Sequence, residues 1–157
     1  MEVTMKKLLT SLIVLAMICC ICLTSCTPIS RNDAEAMLKD FFTAITADDY
    51  ETAVSYMHPI NDLDADGLRD AIEKIEGQVL CDFSNGLDLG SCISYYTSVN
   101  LNSNGISGLY TTLALQHEIR IGNQDFRLES SFVNDSDGLS ISGFKIIATV
   151  SDLNNKV

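Results

Sequence analysis

The sequence predicts an α+β protein in which N-terminal helices pack on a curved antiparallel meander sheet, and three observations predict it. Between Ser30 and Gly77 apolar residues recur every three or four positions, the period of a helix with one buried face. From Val79 to Val150 the recurrence shortens to two, the period of a half-buried strand. Three strings then divide that second half: Asn102-Ser103-Asn104-Gly105, Gly122-Asn123-Gln124 and Asp135-Ser136-Asp137-Gly138. Their chemistry suits hairpin turns, and short turns make neighbouring strands antiparallel. With no internal repeat and no low-complexity linker, residues 30–157 are expected to form one domain.

The chain opens on Lys6 and Lys7, an apolar run from Leu8 to Leu23, and then Leu23-Thr24-Ser25-Cys26. Charged start, apolar middle and small-residue exit are the layout of an export signal. At 16 residues, with Thr10 and Ser11 inside it, the run is short of the roughly 20 that cross a bilayer. The exit resembles a lipobox, the recognition sequence of bacterial lipoproteins. That resemblance implies a signal peptide over 1–25, cleavage before Cys26, a diacylglyceryl group on the Cys26 sulfur, and a short lipidated tether over 26–29. Two or more acyl chains hold a protein firmly where one does so only marginally. An extracytoplasmic protein anchored by lipid is therefore expected, on the outer face of a cell membrane or on an outer membrane.

After the tether, Ser30 is placed to cap a helix, with Asp33 in the capping-box position and Met37, Leu38, Phe41, Phe42 and Ile45 as its apolar stripe. Asp48 or Asp49 starts a second helix carrying Tyr50, Ala53, Val54 and Met57, ended by His58-Pro59. A third helix is expected from Asp66 to Glu76, with Gly77 as its stop. Five strands follow: Val79–Phe83, Ser94–Leu101, Leu109–Ile121, Phe126–Asn134 and Leu139–Val150.

Ala34-Glu35-Ala36-Met37-Leu38-Lys39-Asp40-Phe41-Phe42 leading to Ala47-Asp48-Asp49-Tyr50-Glu51-Thr52-Ala53, with Gly143-Phe144-Lys145-Ile146-Ile147 near the end, resembles the helices and closing strand of the NTF2-like, cystatin-related fold. The resemblance spans Ser30 to Val150 and carries no invariant signature. It implies that helices and sheet form a cone whose mouth can hold a small ligand, in a family where some members are enzymes and many are not.

Loss of residues 1–25 removes Glu2, Lys6 and Lys7, taking the net charge from −11 to −12 over 132 residues. Such a surface repels phosphate backbones, so nucleic acid is not an expected partner. The acids are dispersed along the chain, which solubility alone explains. Cys81 and Cys92 are the two cysteines after Cys26. In an oxidising compartment they are a candidate disulfide closing a short loop, and in a reducing one two thiols with Cys81 in the core.

Asp62-Leu63-Asp64-Ala65-Asp66-Gly67 with Glu73 satisfies the spacing of a calcium loop. Against it stand Arg69 and the His58-Pro59 break, and Asp64 and Asp66 serve equally to cap the third helix. No cofactor is expected beyond that weak calcium candidate. His117 shares the parity of Leu113, Leu115 and Ile119, which points it toward the cone interior, where Tyr95 or Tyr96 would join it as a pocket. No acid near it in sequence shares that parity, and serine elbows, phosphate loops and HExxH are absent as strings. The expected function is accordingly a non-catalytic module that binds a small ligand or envelope protein, or dimerises through its sheet. The alternative is a dehydratase- or isomerase-type enzyme using the cone, or a calcium-stabilised structural domain.

Overall fold

The computed structural model describes residues 28–149. The readings placed on 1–25, on Cys26 and Thr27, and on the strand end at Val150 lie outside the described residues.

Ser30 takes an extended conformation and its hydroxyl accepts from the Asp33 N–H, starting helix α1 (Arg31–Thr46). A hydroxyl in that position satisfies one of the four N–H groups a helix start leaves without a partner. The stripe predicted from spacing is the buried face: Leu38, Phe41, Phe42 and Ile45 are all 2 % exposed or less. Asp48 turns the chain at φ 57, and Asp49 caps the short helix α2 (Tyr50–Ser55) through the Thr52 N–H at 3.0 Å.

The chain then touches the far end of its own sequence. Met57 bridges Ile141 in parallel, with His58 N–H on the Ile141 carbonyl and Ile141 N–H on the Tyr56 carbonyl, both at 2.8 Å. A 3₁₀ turn at Pro59–Asn61 leads to helix α3 (Ala65–Val79), capped by Asp64 through the Gly67 N–H at 2.8 Å. Leu68 and Ile72 bury its inner face.

The end of α3 and the segment after it differ from the sequence reading. Gly77 does not stop α3 but lies inside it, and the helix ends at Leu80, which adopts φ 57 while the Cys81 N–H bonds the Glu76 carbonyl. Packing of Ile75 and Val79 on the core carries the helix past the glycine. The expected strand Val79–Phe83 is therefore replaced by a helix end, its cap and a second 3₁₀ turn, Phe83–Asn85, whose first N–H is held by the Glu76 carboxylate at 2.7 Å. Alternation at Val79, Cys81 and Phe83 still reports burial, because all three pack on the core.

The remaining four strands form one antiparallel sheet in the order β1 (Leu87–Ser103), β2 (Ile106–Ile121), β3 (Gln124–Asp135) and β4 (Gly138–Ala148). All three predicted strings make the turns. At the first, Asn104 and Gly105 both have positive φ, 52° and 79°, the requirement of the type I′ turn that matches strand twist. Strand β1 begins at Leu87 and not at Ser94 because Gly90 lets two backbones approach. A Cβ there would lie 2.8 Å from the Glu118 carbonyl oxygen.

The α+β class is thus as predicted, with helices gathered against one face of a curved sheet. Its centre is aromatic. Phe41, Phe42 and Phe144 meet edge-on with centroids 5.0–5.5 Å apart, and Phe42 stacks on Phe83 at 5.8 Å. Full burial of a ring such as Phe41, Phe42 or Phe83 stabilises the fold by about 1.5–3 kcal/mol, and favourable ring geometry adds to that.

Candidate functional site

His117 sits on the helix-facing side of β2, as its parity requires, and is 1 % exposed. Its neighbour across the sheet is set by an irregularity. Leu89 pairs Ile119 and Ser94 pairs Gln116, with register shifts on both sides of an isolated Cys92–His117 pair. Bulges of this kind re-aim a side chain, and here the half-buried Cys92 is set against the ring. From the helical layer, Glu35 on α1 brings its Oε1 to 3.3 Å from His117 Nε2. The same oxygen lies 3.1 Å from Nε of Arg31, one helical turn earlier.

A carboxylate oxygen, a thiol sulfur and a ring nitrogen consequently lie within 4.8 Å of one another. Among the described residues it is the sole grouping of three or more acids, cysteines and histidines this close. Glu35 keeps 27 % of its side chain exposed and lines a cavity of about 420 Å³ between α1 and the start of β1. The cluster therefore has a dry floor, His117, and a wet entrance, Glu35. His117 Nδ1 has no hydrogen-bond partner among the described residues, which for a buried ring nitrogen costs about 1–3 kcal/mol.

Tyr95 and Tyr96 do not join His117, which corrects the predicted pocket. They are 64 % and 69 % exposed and line a different cavity, of about 540 Å³, with Ser94, Gln116, Glu129 and Lys145. Ser94, Gln116 and Glu129 form a hydrogen-bonded row across three strands there.

The second histidine forms the other buried imidazole–carboxylate pair. His58 Nδ1 accepts from the Ile60 N–H at 3.1 Å, so Nε2 carries the proton and donates to Asp135 Oδ2, also at 3.1 Å. Burial pushes the Asp135 carboxyl up, but the hydrogen bonds from His58 and the Asp137 N–H outweigh it and hold the group below its ordinary value. Both ring nitrogens of His58 are satisfied, and the pair fastens the segment after α2 to the β3–β4 hairpin.

Of the calcium-spaced acids, Asp64 caps α3 and Asp66 pairs with Arg69 at 2.9 Å. Asp62 lies at a left-handed turn and Glu73 on the exposed side of α3. The structure does not bring the four together as a ligand cluster. Cys81 and Cys92 are both free thiols, so the loop-closing disulfide is not formed in this structure. Burial, and then the nearby Glu76 and Asp82 charges, push the thiol of the partly buried Cys81 up to about 11, which disfavours the reactive thiolate. Cys92 instead faces the cluster.

Glu35 is the residue that sequence reasoning missed. A signal existed, since Glu35 precedes Leu38 by three and Phe42 by seven, which places a carboxylate on the apolar stripe itself. Compared with known proteins, the chain matches no protein-family model and no curated protein.

Proposed function

We propose that the chain is a lipid-anchored, extracytoplasmic and non-catalytic binding module of NTF2-like architecture that engages an envelope protein, a small ligand or a second copy through strand β1. The observation that carries this is the exposure of β1. It is an edge strand of 17 residues, on which Ile93, Tyr95, Tyr96, Val99 and Leu101 are 46–69 % exposed. Edge strands are ordinarily short, or blunted by lysine and proline, because their free N–H and C=O groups template pairing with another chain. Strand β1 carries neither residue type. An edge of this kind recruits an added strand by main-chain bonds and reads it with alternate side chains.

Helix-first order, the parallel Met57–Ile141 bridge and a meander over the helices support the NTF2-like reading. The phenylalanine cluster packs ring on ring between helix α1 and strand β4, which supports an interaction module over an enzyme that would need a wide cone. Export and lipidation rest on the lipobox at Leu23-Thr24-Ser25-Cys26.

A photo-crosslinking residue in place of Val99, in the native membrane, tests the surface against the same residue in place of Asp70 on α3. A discrete crosslinked species from the Val99 position alone is expected, and equal yields from both positions would reject the edge. Separately, radiolabelled palmitate should enter the wild-type chain and not Cys26→Ser; label in neither would reject the anchor while leaving the edge standing.

A further inference from the structure

We propose that Glu35, Cys92 and His117 form a binding site for a borderline-soft divalent cation, with zinc(II) as its natural representative. The donor set is the first reason. Thiolate and imidazole select such ions over calcium or magnesium, and three protein donors with an open fourth position are how zinc is held where it remains accessible. Two anionic donors and a neutral imidazole also neutralise a double charge, so the buried ring is not left beside an uncompensated ion.

Geometry is the second reason. Donor atoms around a tetrahedral zinc lie roughly 3.3–3.8 Å apart, given metal–ligand bonds of about 2.0–2.3 Å. The Glu35–His117 separation is already 3.3 Å, and all three donors fall within 4.8 Å. Closing the remainder asks for side-chain rotation only at Glu35 and Cys92, the two members that are not fully buried. Cys92 holds its thiol proton against the Ser94 carbonyl at 3.5 Å; on binding, that proton leaves to solvent and the sulfur takes the metal. Arg31, on the same Glu35 oxygen, orients the carboxylate from outside the coordination sphere.

The bonding of the ring is the third reason. His58 has both nitrogens occupied by protein groups, as a structural histidine does. His117 is more deeply buried, and its Nε2 faces the Glu35 carboxylate and is the ligand atom, while Nδ1, which has no partner among the described residues, takes the ring proton when Nε2 coordinates. A register irregularity on each side of Cys92 adds that the sheet departs from regular pairing to set the thiol opposite this ring.

Cobalt(II) titration of the full chain, as its host produces it and solubilised from the membrane, reads the site directly. A thiolate-to-cobalt charge-transfer band is expected, displaced by zinc(II), lost in Cys92→Ser and unchanged in Cys81→Ser. Glu35→Gln should weaken cobalt binding by at least the roughly 10–100-fold that loss of a mere outer-shell partner costs, because here a ligand is removed. Circular dichroism on each variant separates lost binding from lost folding, and Cys92→Ser is near-isosteric. No band in the wild-type chain, or a band that survives Cys92→Ser, overturns the proposal. Neither outcome decides the edge reading probed at Val99, because Cys92 lies near the start of β1, seven residues before that position.

Discussion

Breaking the His58–Asp135 pair should unlatch the helical layer from the distal hairpin, and its size can be worked out. The two residues are 77 positions apart, with side chains 8 % and 9 % exposed. A buried hydrogen bond to a charged acceptor contributes about 1.5–3 kcal/mol net. A double-mutant cycle of His58→Ala and Asp135→Ala, followed by urea unfolding, should return a coupling energy in that range. For a domain of this length each single variant should melt roughly 5–15 °C lower. The sign of the pH dependence follows from the depressed Asp135 carboxyl. A group whose folded-state value lies below its unfolded value, about 3.9, contributes fully above the unfolded value and loses the contribution as pH falls through the folded one. The stability gap between wild type and Asp135→Ala should therefore be level from about pH 5 to 7 and shrink below about pH 4. A coupling under about 0.5 kcal/mol, or a gap that widens on acidification, would refute the latch.

Three further outcomes are expected. Phe41→Ala removes a fully buried ring that packs on both Phe42 and Phe144, and should cost about 3–5 kcal/mol in chemical unfolding; a loss below 1 kcal/mol would mean the ring cluster is not the core. Gly77→Ala should stabilise by about 0.5–1 kcal/mol, since the residue is inside α3 and nothing lies within 4 Å of an added Cβ; a lower melting temperature would instead restore the glycine as a helix stop. Gly90→Ala should destabilise by about 1–3 kcal/mol, because its Cβ would meet the Glu118 carbonyl oxygen at 2.8 Å, whereas Gly108→Ala, with open space but φ 89, separates steric conflict from backbone strain.

The fold was largely legible because its signals are local. Helix caps at Ser30, Asp49 and Asp64 and the three hairpin strings each act within four residues, and the structure uses every one of them. What failed was decided at a distance. Gly77 looks like a stop until Ile75 and Val79 find the core beyond it, and Gly86 to Gly90 looks like a loop until the Glu118 backbone arrives alongside. Parity in a strand states which face a side chain takes but not how far the covering layer extends. Tyr95 pairs the buried Leu115 and is nonetheless 64 % exposed.

The cluster around His117 was illegible for a related reason. A partner on the same strand or the next one can be sought by counting twos, whereas Glu35 comes from a helix 82 residues away. Its approach depends on how α1 is rotated over the sheet. That rotation is itself fixed by apolar contacts, chiefly Leu38, Phe41 and Phe42, so an acid embedded in the stripe is carried inward by its neighbours whether or not it gains from burial. Without the stripe Glu35 would stay in water, where a carboxylate is most stable. Its place at His117 and Arg31 is therefore bought by hydrophobic packing elsewhere on the helix. Weakening that packing, as in Phe42→Ala, should loosen the Glu35–His117 contact even though neither residue is altered. The His117 ring signals in a nuclear magnetic resonance spectrum would report the loss before global unfolding, and unchanged signals would mean that the polar cluster holds itself together.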